Sequence, residues 1–306
     1  MKAEMTAKFG DKGTANPIYN LNPGELPGSK GPIKMVSEYI IGTTPMMLWV
    51  KDDAGYFTML KNAGFYTCTG NICYISPEKT HVLVQATIDQ ASWKSIGVDG
   101  IYGNVNIGFP TGSGGRATAA MLLSCWKPDQ NGDYCTKMIT PETMATDEYK
   151  AAFLALYAAG GQIPAGDDSL KIGINWFPLN SSVSPTVLLA ATESSYVTWI
   201  NGLDANQQKA IPGMKIHGVY FIRPIVTTFT VICTDDPCQK FFGDAVNDPA
   251  FQKIMSDDEG VRTASFAGAP TFVGDFIDPT PHFQPMSFPF SLVTSKINEY
   301  INQYGK

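Results

Sequence analysis

The residues best suited to chemistry are six cysteines standing as three local pairs: Cys68 with Cys73, Cys125 with Cys135, and Cys233 with Cys238. An even count with every partner close in sequence is the pattern of loop-closing disulfides, which persist in oxidising compartments. Six reduced cysteines packed as small core residues are the other reading. One pair is also placed for reactivity. In TTFTVICTDDPCQKFFGDAV an apolar strand leads to Cys233, and Asp235-Asp236-Pro237-Cys238 opens a helix. A thiol at a helix N-terminus meets the positive end of the helix dipole, which favours the thiolate. Cys238 is therefore the candidate nucleophile and Cys233 its partner. The two aspartates oppose that activation, and a structural disulfide closing the C-x4-C turn competes with it. Pro270, in Gly268-Ala269-Pro270-Thr271, stands just before a strand and is a candidate cis proline; an ordinary strand-initiating proline is the alternative.

Other constellations are weaker. Asp129, Asn131 and Asp133 in KPDQNGDYC alternate oxygen ligands as calcium loops do, but Tyr134 occupies the glycine position and no glutamate follows at position twelve. A polar hairpin turn between Cys125 and Cys135 is the competing reading. Gly112-x-Gly114-x-x-Ala117 formally matches a dinucleotide fingerprint, yet its helix is short and the following strand offers no acidic residue for a ribose. His81, His217 and His282 are isolated and lack metal-ligand spacing. No G-x-S-x-G, H-E-x-x-H, P-loop or S-x-x-K motif occurs, and no cofactor is expected.

These residues need elements to hold them. Residues 1–33, rich in Gly, Pro and Asn, read as an extended arm. A small strand-rich domain is expected over 34–95, with runs VSEYII, MMLWV, GFYTC, ICYI and HVLVQATI separated by turn signals such as Gly42-Thr43-Thr44-Pro45. An α+β domain is expected over 96–306. It opens with the strand NVNIGF and the helix RATAAMLLSCW. The strongest helix follows, capped by Thr140, with Pro141 in its first turn and Gly160 at its end. Runs LKIGINWF, TVLLAA, SYVTWI, KIHGVYFI and TTFTVIC read as strands; short helices are expected at 238–246 and 249–256, and an amphipathic helix at the terminus.

Composition bounds what such a chain does. Only 16% of the 306 residues are charged, 29 are Gly and 21 Pro, and 44% are hydrophobic. That excludes disordered and coiled-coil classes. A net charge of −6 argues against nucleic acid or an anionic membrane as partner. No apolar run reaches the ~20 residues of a membrane span. Residues Met1–Phe9 carry Lys2, Glu4 and Lys8 rather than the apolar stretch of a leader, so the expected export rests on the cysteine pattern and low charge.

Several stretches together resemble the two-domain bacterial disulfide isomerase and chaperone family. GNICYISPEKTHVLVQATID is similar to its dimerisation-domain hairpin, and NVNIGFPTGSGGRATAAMLLSCW to its Phe-Pro strand and Trp/Cys-bearing helix. TVICTDDPCQKFF is similar to its active-site turn, and GAPTFV to its cis-proline strand. The resemblance implies a cystatin-like dimerisation domain, a thioredoxin-like domain, and Cys125 with Cys135 as its structural disulfide. The chain departs from the family in segment order, and Asp235 stands where the nucleophile belongs.

Three functions are expected in order. The first is a periplasmic or extracellular protein acting in thiol-disulfide exchange or chaperone-like binding, which if enzymatic is a thiol-disulfide oxidoreductase using Cys233, Cys238 and Pro270. The second is a self-associating subunit of a capsid, filament or secretion assembly, built through arm 1–33. The third is a secreted calcium- or carbohydrate-binding module.

Overall fold

The computed structural model describes residues 37–52, 54–110, 113–136, 139–159, 162–163, 187–202, 216–223, 226–233 and 235–263. Arm 1–33, Pro270, His282, Gly112 and the terminal helix lie outside the described residues.

The chain is α/β, built on one mixed sheet of eight strands. Strand β1, Ser37–Lys51, is longer than expected. The Gly42-Thr43-Thr44-Pro45 stretch, with its turn-forming residues, continues the strand because its backbone is claimed from both sides. Thr43 exchanges N–H···O bonds of 2.9 and 2.8 Å with Arg262, and Gly42 to Pro45 pair with Phe229 to Val226. A hairpin follows, β2 (Tyr66–Thr69) and β3 (Ile72–Ile75), turning at Gly70 with φ of +61°. Cys68 and Cys73 stand opposite each other there and are bonded. Before the hairpin lies helix α1, Tyr56–Asn62.

Two strand expectations become helices. HVLVQATI lies in α2, Pro77–Ile88, which Ser76 caps by accepting from the Lys79 N–H while Pro77 occupies the first turn. Its Thr80, Leu83, Val84 and Thr87 bury one face at helical spacing. SYVTWI lies in α6, Glu193–Gly202. Between them come β4 (Ile107–Pro110), α3 (Ser113–Leu122), α4 (Pro141–Met144), α5 (Asp147–Ala159), β5 (Gln162–Ile163) and β6 (Leu188–Thr192). The helix expected to run on from Pro141 is broken. Thr140 accepts from the Thr143 N–H, and Thr146 then caps a fresh start by accepting from the Tyr149 N–H. Strands β7 (Ile216–Phe221) and β8 (Val226–Cys233), then helices α7 (Asp236–Ala245) and α8 (Pro249–Asp257), complete the described chain.

The strand order is β2-β3-β7-β1-β6-β4-β5, with β8 beside the first half of β1. Strands β3, β7, β6, β4 and β5 run one way, and β1 runs against its neighbours β6 and β7. Apolar residues of the sheet and its covering helices, among them Leu48, Val50, Leu83, Phe109, Phe153 and Val219, form the core.

This topology corrects the family resemblance. The segments likened to a separate dimerisation domain and to a thioredoxin-like domain belong to one sheet: β3 pairs with β7, β4 with β6, and β8 with β1. The supposed dimerisation hairpin is a strand followed by a capped helix.

Candidate functional site

Because β3, β4 and β6 point the same way, the helices that follow them begin at the same edge of the sheet. These are α2 after Ile75, α3 after Pro110, and α6 directly after Thr192. Parallel strands put ligand sites at this carboxyl edge, and helix N-termini lend it positive polarity. Two of the three ends spend backbone donors internally. Ser76 caps α2; in α6 the Ser195 N–H is taken by Thr192 Oγ1 at 3.1 Å and the Ser194 N–H by Thr44 Oγ1 at 2.9 Å. The third, α3, opens through Ser113-Gly114-Gly115, and Arg116 lies in its first turn.

Strand β7 ends at the same edge and carries the chain to Arg223. This partly exposed guanidinium donates to the Tyr134 carbonyl at 2.9 Å and stands 3.9 Å from Asp133. Glu78, in the first turn of α2, is held below the usual carboxylate range, first by its bond with Ser76, then by its own backbone N–H and by Arg223. His81 stacks on Tyr134 with ring centroids 4.0 Å apart.

Past this edge the sheet changes partners. The second half of β1 lies between β6 and β7, and the first half pairs with β8. Residues 261–263 run along the other side of Thr43, in line with β6. At this seam Arg262 grips Glu193 bidentately, Nε to Oε1 at 2.8 Å and Nη2 to Oε2 at 2.6 Å, and the Tyr220 hydroxyl donates to Oε2 at 2.6 Å. All three residues are buried. Sequence reading missed this cluster. Its one local signal is Glu193, a lone charge between the runs TVLLAAT and SSYVTWI; Arg262, close behind Asp257-Asp258-Glu259, offers none.

The cysteines named from sequence are all oxidised: Cys68–Cys73, Cys125–Cys135 and Cys233–Cys238. This fits the periplasmic or extracellular setting expected of the chain. Cys233 is buried at the end of β8 and Cys238 lies in the first turn of α7, where the Asp235 carboxylate accepts its backbone N–H at 2.8 Å. The helix end that was to activate a thiol is thus already occupied by a carboxylate. Asp129, Asn131 and Asp133 do come together, but as a turn: Asp129 Oδ1 accepts the N–H groups of Asn131 and Asp133 at 2.8 and 3.1 Å. The three residues thus share an Asx-type turn closed by the Asp129 carboxylate. His217 stacks on Phe57 and lies 3.5 Å from Asp52, at the opposite edge of the sheet. Among the described residues no three His, Cys, Asp or Glu side chains converge to hold a metal ion, and no helix is long and apolar enough to cross a membrane.

No family model and no curated protein matches the sequence. Solved structures share its general course. One is the IdiA/FutA protein of Trichodesmium in complex with iron and citrate, with 10% identity, 88% of this chain and 70% of that one covered, and a TM-score of 0.48. The ferric binding protein from Campylobacter jejuni has the same identity and coverage with a TM-score of 0.46. Iron-bound HitA from Pseudomonas aeruginosa is 11% identical over 98% of this chain and 78% of its own, with a TM-score of 0.47. These are ferric-binding proteins, where sequence led us to expect a disulfide isomerase or chaperone, an assembly subunit, or a calcium- or carbohydrate-binding module. The single mixed sheet corrects the first of these readings, and none of the similar structures is described as any of the three.

Proposed function

We propose that this chain is an exported solute-binding protein. It would take a small anionic solute at the carboxyl edge of its parallel strands and close on it by movement across the strand seam. The observation that carries this reading is the long strand β1, which is shared between two sets of partners beside an edge where three helices begin. Strand β1 joins a lower body, β2 to β7 with α1 to α6, to an upper body of β8 and α7; such a strand is suited to hinge closure, and a site between two bodies gains contacts from both. The polarity of the helix N-termini, with Arg116 and Arg223 nearby, supports an anion over a cation or a sugar. Ferric citrate, the pair of ligands named for one of the similar structures, is one anion of this class.

Calorimetric titration and small-angle scattering with ferric citrate, citrate, phosphate and sulfate test this. We expect binding of at least one of these, with contraction of the particle, and about tenfold weaker binding in Arg223→Ala, the loss of one charge-assisted contact. No heat and an unchanged melting temperature with all four would overturn it.

A further inference from the structure

The seam is pinned on one side, and what pins it says where the molecule bends. Helix α8 touches the upper body at its start, where Phe251 packs edge-on against Phe242 of α7, 6.5 Å between ring centroids, and α7 in turn receives the Tyr39 hydroxyl of β1 on the Gln239 carbonyl. The last residue of α8 and the chain leaving it are fastened to α6 of the lower body. Asn201 Nδ2 donates to the carbonyls of Asp257 and Asp258, both at 2.9 Å, and Ser194 Oγ donates to the Glu259 carbonyl at 2.5 Å. Gly260, at φ of +62°, lies so close to α6 that a Cβ there would come within 2.6 Å of Val197 and 2.9 Å of the Ser194 backbone. Arg262 then pairs with Thr43 through its backbone and with buried Glu193 through its side chain. Gly42 completes the fit, because a Cβ there would meet the Arg262 carbonyl at 2.5 Å.

We infer that residues 257–262 act as a clamp that makes the seam itself rigid, so that the two bodies move by bending β1 above the clamp, at the irregularity between Ile40 and Gly42. There the pairing with β8 shifts register, leaving Ile41 as the extra residue of a bulge. Bulges interrupt the ladder and bend a strand, whereas a doubly hydrogen-bonded, buried guanidinium–carboxylate pair resists opening. Bending at the seam would have to part Arg262 from Glu193 and Tyr220 in a buried setting; bending at the bulge parts nothing comparable. The clamp therefore fixes the lower half of the candidate site and leaves Ser37–Ile40, Val231–Cys233 and α7 as the moving side.

The assignment rests on the hinged reading for its use, but its test needs no ligand, so the two stand or fall apart. Hydrogen exchange of the ligand-free protein is read at single amides. We expect the amides of Thr43 and Arg262 to exchange at least tenfold more slowly than those of Ser37–Ile40 and Val231–Cys233. In the double variant Ser194→Ala, Asn201→Ala, which keeps the buried ion pair, exchange at Arg262 should rise at least fivefold while Leu48 and Val50 stay unchanged. Equal protection above and below the bulge would overturn the placement of the bend. Unchanged exchange at Arg262 in the double variant would overturn the clamp.

Discussion

Tyr66 lies wholly within the core beside Phe57, and its hydroxyl has no hydrogen-bond partner among the described residues. Burial pushes that phenol well above its ordinary value near 10.0. A group whose folded pKa is raised gives stability that is complete below the unfolded value and is lost as pH climbs past it. Tyr66→Phe removes an unsatisfied polar group without altering shape. It should raise stability by roughly 1 kcal/mol at pH 8, and the variant should lose less between pH 9 and 11. Urea melts at the two ends of that range check both parts. The residues that carry the seam were not legible in the sequence. Glu193 and Arg262 lie 69 positions apart in no motif, and only the fold shows that each is buried against its opposite rather than solvated.

Element by element, legibility followed capping. Thr140-Pro141-Glu142 signals a helix start and so does Ser76-Pro77-Glu78, but the β-branched and apolar run behind the second reads as a strand. Short apolar runs do not choose between the two periods alone; the cap and the partner do. SYVTWI misled in the same way, its helix being fixed by Thr192 and Thr44 rather than by its own composition. NVNIGF, KIHGVYFI, TTFTVIC and the two helices after Cys233 were legible, since turn or cap residues bound each one. The cap of α2 should therefore carry measurable stability. Ser76→Ala leaves the Lys79 N–H without its partner and is expected to cost about 1 kcal/mol by urea denaturation, with ligand affinity changed less than twofold.

At the scale of the molecule, three disulfides staple excursions from the sheet: the β2–β3 tip, the passage from α3 to the 129–135 turn, and the start of α7. The second joins two buried cysteines, and Arg223 holds the same turn to β7. Replacing Cys125 and Cys135 together by Ser should cost about 2–4 kcal/mol, read as a lower urea midpoint, and should loosen the carboxyl edge more than opening Cys68–Cys73 does. Low charge and paired cysteines were visible from composition; that one strand serves two sets of partners was not, because pairing partners more than a hundred residues away leave no local trace.

That strand also sets a clock. The Trp49 indole donates to the Ala191 carbonyl, 142 residues further along the chain, and every partner of β1 is made later still or close to that point. At roughly 5–20 residues per second of synthesis, the longest described strand of the sheet is made roughly 7–30 s before its partners. Its Met-Met-Leu-Trp-Val run is then an apolar segment with unpaired strand edges until the fold closes around it.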